Sequence, residues 1–311
     1  MIYITSPSAS EYWRDGTGRN YPTFPWVGTN FKEDYVDKDY TGRVNLTEPL
    51  NVMVASAGKR VKREGIVCRV KPIHLPEGSF VKITNEVCVA CPELCFLQAA
   101  LEYDFVDLVK LGNMLCASYV RDDNSVLGQR PREPVTTPEL IRDYLDRAMG
   151  IDGIHAARRA VQYLRGGAAS PLEVAMATYF FIPISEGGLG LKGGILNGKV
   201  TLSESAGKLV RTKVLSADIL WDKDRVAFEY DSTMTHMDEE QRRYDCNRQS
   251  AMGQSGYTVI RATWDNFQNF RQLENLAEVI RKSLKIRQRD DRLKKYEKKR
   301  YEVAGHLFWN K

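Results

Sequence analysis

The sequence predicts an α/β protein with a mixed sheet flanked by helices in its C-terminal half, preceded by a smaller α+β domain. Three observations carry that expectation. Residues 198–286 alternate short β-rich runs with helix-length amphipathic runs, ending in a βαβ crossover. Residues 51–90 hold the β-rich runs NVMVAS, IVCRVKPI and FVKITNEVCVA, broken at AGK and PEG, which suggests a small sheet. Between them the apolar residues recur at helical spacing, punctuated by Pro at helix starts and Gly at helix ends.

Taken in order, residues 1–45 are rich in Tyr, Gly, Asp and Asn with little periodicity, which predicts a loop and suggests a partner-dependent lid. The run PELCFLQAALEYDFVDLVKLGNMLCASYV is expected to be helical, with Pro92 in the first turn and Gly112 as the stop. Residues 120–136 read as a polar loop. Thr137 then serves as an N-cap with Pro138 at the first helical position, opening a helix that ends at Gly150. IHAARRAVQYLRGG is a further helix, and Ser170-Pro171-Leu172-Glu173 repeats the start signal before VAMATYFF. The glycine-rich stretch at 186–199 lacks the Gly-Lys-Ser/Thr ending of a phosphate-cradling loop and leads into a strand, which excludes a P-loop. From residue 198 the order is strand KVTLSES, strand TKVLSADILW, turn DKD, strand RVAFEYDS, helix MDEEQRRYDCNRQSAMGQSG, strand YTVIRAT and a last helix. The expected domains are 1–150 and 151–286, followed by a basic helical tail at 287–311.

The chain has 311 residues, enough for two domains with their own cores. Its apolar fraction of 43% and charged fraction of 27% fit a soluble protein, and no apolar run approaches the roughly 18 residues of a membrane span, so no membrane role is expected. The opening MIYITSPSASEYWR has no basic, then apolar, secretory pattern, and the expected location is cytoplasmic. Residues 281–300 hold eleven Lys or Arg against three acids, a local +8 in a chain of net +5. The basicity belongs to the tail, which reads either as a solvated helical face or as a phosphate-contacting arm.

The chemistry concentrates in ADILWDKDRVAFEYDS, residues 217–232, where Asp218, Glu229 and Asp231 interrupt strand-like sequence. Strand alternation puts Glu229 and Asp231 on one face, and a tight turn at 222–224 folds Asp218 back opposite Phe228 or Glu229. Three converging carboxylates repel one another unless a cation sits between them, and their hard oxygens favour Mg²⁺ or Mn²⁺. The bland alternative is that Asp218 and Asp231 cap strand ends while Glu229 pairs with an arginine. Downstream, His236 suits a general base near neutral pH. Asp245 and Arg248 stand three apart on the next helix with Arg242 three before them, and a cation beside acids suits the charge of a phosphodiester transition state.

In this order Asp218, Glu229-Tyr-Asp231-Ser, His236, Asp245 and Arg248, opened by Ser170-Pro-Leu-Glu173, residues 165–285 resemble the very-short-patch-repair-like (Vsr-like) branch of the PD-(D/E)XK endonuclease superfamily. That branch carries an Asp strand, an E-x-D-G-x-x-x-H strand end, a D-x-x-R helix and an S-P-x-E opening helix. The resemblance implies a restriction-endonuclease-like sheet and a metal-dependent DNA endonuclease, in phage defence or mobile-element biology. It also implies roles. Asp218 is the central metal ligand and Glu229 a second carboxylate at the metal, Mg²⁺ or Mn²⁺. Glu173 orients a water, Asp231 with His236 forms the hydrolytic dyad, and Asp245 and Arg248 support from the helix. Ser232 stands where the branch has Gly, and Asp231 where the wider superfamily has its lysine.

ASEYWR (9–14) and VKITNEVCVACPELCFLQAA (81–100) resemble the AbiEi antitoxin family, which implies a DNA- or protein-partner-sensing N-terminal module. Cys88, Cys91 and Cys95 form C-x2-C-x3-C; a metal there needs a fourth ligand, for which Cys68, Cys116 and His74 are candidates. Their apolar neighbours favour buried free thiols instead. The rival to a nuclease is a non-catalytic DNA-binding regulator that keeps the fold. Several carboxylates facing a polyanion argue for the enzyme.

Overall fold

The computed structural model describes residues 1–15, 22, 26–32, 46–126, 128–231 and 239–309, with no side-chain description for 239–242. The chain forms two compact units, Met1–Ser170 and Pro171–Lys311. The boundary expected at residue 150 therefore moves to 170. The reason is packing: Ile154, Ala157 and Ala160 of the helix after residue 150 are buried in the first unit.

The first unit is built on a six-stranded sheet. Its strands are β1 (Ile2–Ile4), β2 (Gly28–Thr29), β3 (Leu50–Val54), β4 (Ile66–Val70), β5 (Phe80–Lys82) and β6 (Val87–Ala90), in the order β2-β5-β6-β1-β3-β4. The opening segment, expected as a loop, instead supplies the interior strand β1, parallel to β6 and antiparallel to β3. Three apolar residues are too few to show periodicity, but all three are buried. ASEYWR lies in helix α1 (Ser8–Arg14), whose Trp13 is fully buried and donates its indole N–H to Ala90 O. The rest of the expected lid, 16–21, 23–25 and 33–45, lies outside the described residues.

The helical run after β6 divides into α2 (Pro92–Ala99) and α3 (Phe105–Leu115), with Asp104 capping the second through Asp107 N. Gly112 is not a stop. It lies inside α3, where a Cβ would stand 2.5 Å from Leu164 and 2.8 Å from Phe96, so glycine permits close packing. The expected polar loop at 120–136 contains a hairpin, β7 (Tyr119–Arg121) and β8 (Gln129–Pro131). Thr137 caps α4 (Pro138–Arg147) by accepting from Leu140 N, with Pro138 at the start. Helix α5 (Ile154–Ala160) completes the unit.

The second unit opens with α6 (Pro171–Phe181), buried from Val174 to Phe181. Strand β9 (Ile195–Thr201), helix α7 (Glu204–Val210), strands β10 (Val214–Trp221) and β11 (Val226–Asp231), helix α8 (Glu239–Gln254), strand β12 (Thr258–Thr263) and helix α9 (Phe270–Ser283) follow. The sheet order is β12-β11-β10-β9, with β11 parallel to β12 and the other pairs antiparallel, a mixed sheet flanked by helices. Helix α7 was unexpected, because KVTLSES continues a strand pattern. Ser203 ends it by accepting from Ala206 N as an N-cap.

The basic tail is not a free arm. It forms α10 (Asp290–Lys295) and α11 (Glu297–Ala304) and ends in the helical turn Gly305–Trp309. Arg300, Val303, Ala304 and Phe308 are buried in the second unit, and the Phe308 ring packs 5.7 Å from Tyr179 and 5.2 Å from Phe267. Lys294, Lys295 and Lys298 remain exposed. Among the described residues, no helix is long and apolar enough to cross a membrane.

Candidate functional site

The site begins with a fault in β10. Leu215, Ala217 and Leu220 share one core cluster with Ala227, against Ala251 and Met252 of α8. Trp221 and Phe228 pack instead on Phe181 and Phe180 of α6. Ala217 and Leu220 lie three residues apart, whereas a regular strand repeats a face every two. The alternation of faces therefore breaks between them, without any shift of register. The ladder pairs Ala217 with Gly198 and Ile219 with Leu196, which puts Asn197 across from Asp218. Asn197 takes the left-handed conformation, φ 49°, which Asn tolerates better than most residues. On the other side the pairing of Ile219 with Phe228 puts Glu229 next to Asp218.

At this break the backbone ladder hands over to a side chain. Tyr230 N donates to Asp218 Oδ2 at 2.6 Å. Burial pushes the Asp218 carboxyl above its ordinary value and the Glu173 charge adds to that; the Tyr230 N–H and the Arg248 guanidinium oppose. Glu173, in the first turn of α6, accepts from Asn197 Nδ2 at 2.7 Å. Arg248 Nη2 of α8 lies 2.9 Å from Glu229 Oε2 and 3.1 Å from Oε1, and donates also to Ser216 O. Burial pushes Glu229 up to about 7, with Asp218 adding, against the pull of Arg248 and Arg261.

Glu229 therefore links protons to folding. In the unfolded chain it titrates near 4.5, and in the folded chain near 7. Over that window the folded state holds the extra proton, so its contribution is fully present below the unfolded value and is lost as pH rises through 7. Each pKa unit is worth about 1.4 kcal/mol, so the expected loss between pH 5 and 8 is about 2–3 kcal/mol. Urea midpoints in EDTA should show Glu229→Gln gaining on wild type across that range. Parallel pH profiles would refute the linkage.

The remaining acids do not join this pair as expected. Asp231 is held by Arg261 Nη2 at 2.7 Å, and the same nitrogen lies 3.8 Å from Asp245 Oδ2. The three acids of 217–232 thus fall into two neighbourhoods, because Arg261, across from Glu229 on β12, neutralises the second. The arginine pairing of Glu229 envisaged as the bland alternative is present, while Asp218 lies inside β10, where the alternation breaks, rather than at a strand end. His236 and Ser232 lie outside the described residues, as does the Arg242 side chain.

Two residues escaped the sequence reading. Asn197 is flagged by the Asn-Gly pair in ILNGK, a signal of left-handed backbone. Arg261 is a lone arginine in a strand, and nothing local shows that two acids meet it. Among the described residues no group of three or more His, Cys, Asp or Glu is placed to hold a metal. In the first unit Cys91 caps α2 by accepting from Leu94 N, and Cys95 donates to Ala90 O. Burial pushes both thiols up. No protein-family model, curated protein or solved structure matches this chain.

Proposed function

We propose that the second unit is a metal-dependent DNA endonuclease with a restriction-endonuclease-like fold of the Vsr-like branch. The observation that supports it most is the Asp218–Glu229 juxtaposition where the alternation of β10 breaks, with Glu173 brought to Asp218 by Asn197. Burial raises both carboxyls, and a neighbouring negative charge adds to it, Glu173 at Asp218 and Asp218 at Glu229, which leaves the place short of positive charge. The carriers are also those the resemblance implies: α6 for Glu173, β10 for Asp218, β11 for Glu229 and Asp231, α8 for Asp245 and Arg248.

The donor set fits a hard cation, since carboxylate oxygens from two strands suit Mg²⁺ or Mn²⁺. Asp218 and Glu229 would hold it, and when bound it would lower the pKa of a coordinated water and polarise a phosphate oxygen. Glu229 would have to release an oxygen from Arg248, which then has donors for the negative charge of the reacting phosphate. Glu173, steadied by Asn197, would orient the water. Asp231 and His236 would take its proton, with Asp245 and Arg261 positioning Asp231. The exposed lysines of α10 and α11 would meet the DNA backbone. A protein or DNA partner would engage the first unit, and a cytoplasmic setting in phage defence or mobile-element biology follows by analogy alone.

One observation favours the rival reading of a non-cutting DNA-binding regulator: Arg248 and Arg261 already pair with Glu229 and Asp231. Incubation with plasmid, linear and single-stranded DNA plus Mg²⁺ or Mn²⁺ separates the two. The nuclease reading expects cleavage by wild type and none by Asp218→Ala or Glu229→Ala. Equal cleavage by all three, or none by any, would sink it, and DNA binding without cleavage would establish the rival.

A further inference from the structure

The first unit contains a cavity of about 430 Å³ beside α4, within the size range of small-molecule sites. Two of its lining side chains, Trp26 and Tyr144, are aromatic and held in place by hydrogen bonds. Trp26 donates its indole N–H to Val135 O at 3.1 Å, and the Tyr144 hydroxyl is 2.7 Å from Ser79 Oγ. Its lining acids are Glu77, Glu93 and Asp143 against one base, Arg147. Glu93 is 4% exposed in the first turn of α2 and accepts from the Thr136 hydroxyl. A buried carboxylate in a cavity with acid in excess is short of positive charge.

The chain shows what chemistry the place accepts. The Arg147 guanidinium carbon stands 5.6 Å from the centre of the Tyr144 ring, a cation–π arrangement, while the same side chain donates to Glu77 O. A planar cation thus already lies against one wall, and one such group does not balance three acids.

We propose that this cavity binds a small planar organic cation, an amidinium or guanidinium compound, held between the aromatic walls and Glu93. The site is independent of the nuclease reading, since every residue in it belongs to the first unit and its readout needs neither DNA nor metal. Burial, which pushes the Glu93 carboxyl up, would be offset by the ligand's charge.

The test is calorimetric titration of the full chain with benzamidine, benzamide and benzoate, which share a shape and differ in charge. Benzamidine is expected to bind with a Kd near or below about 1 mM, and the neutral and anionic analogues at least about tenfold more weakly. Glu93→Gln should weaken benzamidine by about ten- to a hundredfold, the loss of one charge-assisted hydrogen bond. Leu140→Trp, at a lining position 41% exposed and so tolerant of a larger side chain, should fill the cavity and abolish binding even if Glu93→Gln fails to fold. Equal binding of the three compounds, no binding of benzamidine, or undiminished binding to Leu140→Trp would each overturn the proposal.

Discussion

Asp218→Asn is expected to lower metal-dependent DNA cleavage by about 10³-fold while leaving the fold as stable as before or slightly more so. The two signs are the point. Asp218 is raised by burial and by the Glu173 charge, so a neutral side chain relieves repulsion rather than breaking an ion pair. Its one structural duty, accepting from Tyr230 N, is kept by the Asn carbonyl oxygen. What Asn lacks is the negative charge a divalent cation requires, and loss of one electrostatic anchor in an active site is worth about 3–4 kcal/mol in the transition state. The measurements are initial cleavage rates with Mg²⁺ or Mn²⁺ and a urea melt in EDTA. A variant that cuts DNA at wild-type rate shows that Asp218 is no metal ligand, and one that loses stability as well as cleavage shows a residue needed by the fold.

The contrast with Glu229 sharpens this. Glu229 is also raised by burial, but both its oxygens face Arg248. Its replacement by Gln therefore removes an ion pair whose attraction does not repay burial of the charge, as well as a ligand, and the pH slope separates those roles. The acid pair is thus unequal. Asp218 carries the site's unbalanced charge, and Glu229 is shared between that site and the helix behind it.

Much of the second unit was legible because its signals are local. Two strands around DKD, a long polar helix and an alternating strand YTVIRAT follow from period and turn chemistry. The side-chain site was legible as residue types, less so as geometry. Regular alternation put Asp218, Glu229 and Asp231 on one face. That alternation breaks in β10 between Ala217 and Leu220, at Asp218, and Arg261, 30 residues downstream, draws Asp231 away. Such a break leaves a faint trace in sequence, since Asn197 and Asp218 are each ordinary loop formers until they are found opposite one another. In the first unit the error had another source. Ile2–Ile4 is too short to show a period, and its strand identity comes from lying between β6 and β3, a long-range fact. Gly112 looked like a helix stop because glycine usually is one. Here Leu164, 52 residues on, makes the small side chain necessary.

The tail supplies the second large effect. Its charge density suggested an appendage, yet one face of α11 and the final turn is core. Phe308 packs against Tyr179 and Phe267, Val303 and Ala304 are buried beside it, and Arg300 is 3% exposed with Glu274 as its ion-pair partner. Phe308→Ala is expected to cost about 3–4 kcal/mol, the usual range for truncating a buried ring, and truncation before Asp290 should unfold the second unit. Substituting Lys294, Lys295 and Lys298 by Gln touches only exposed groups, so stability should move by less than about 0.5 kcal/mol. The same triple change should reduce DNA affinity and flatten its dependence on salt by up to about three ions released. Thermal melts and salt-titrated DNA binding on both variants assign the tail. If Phe308→Ala melts like wild type, the helices are an arm after all; if the lysine variant binds DNA with an unchanged salt slope, the basic face does not contact phosphates. A segment can serve both ends, because α11 and the final turn present Val303 and Phe308 to the core while the lysines stay in solvent. Net charge reported only the second.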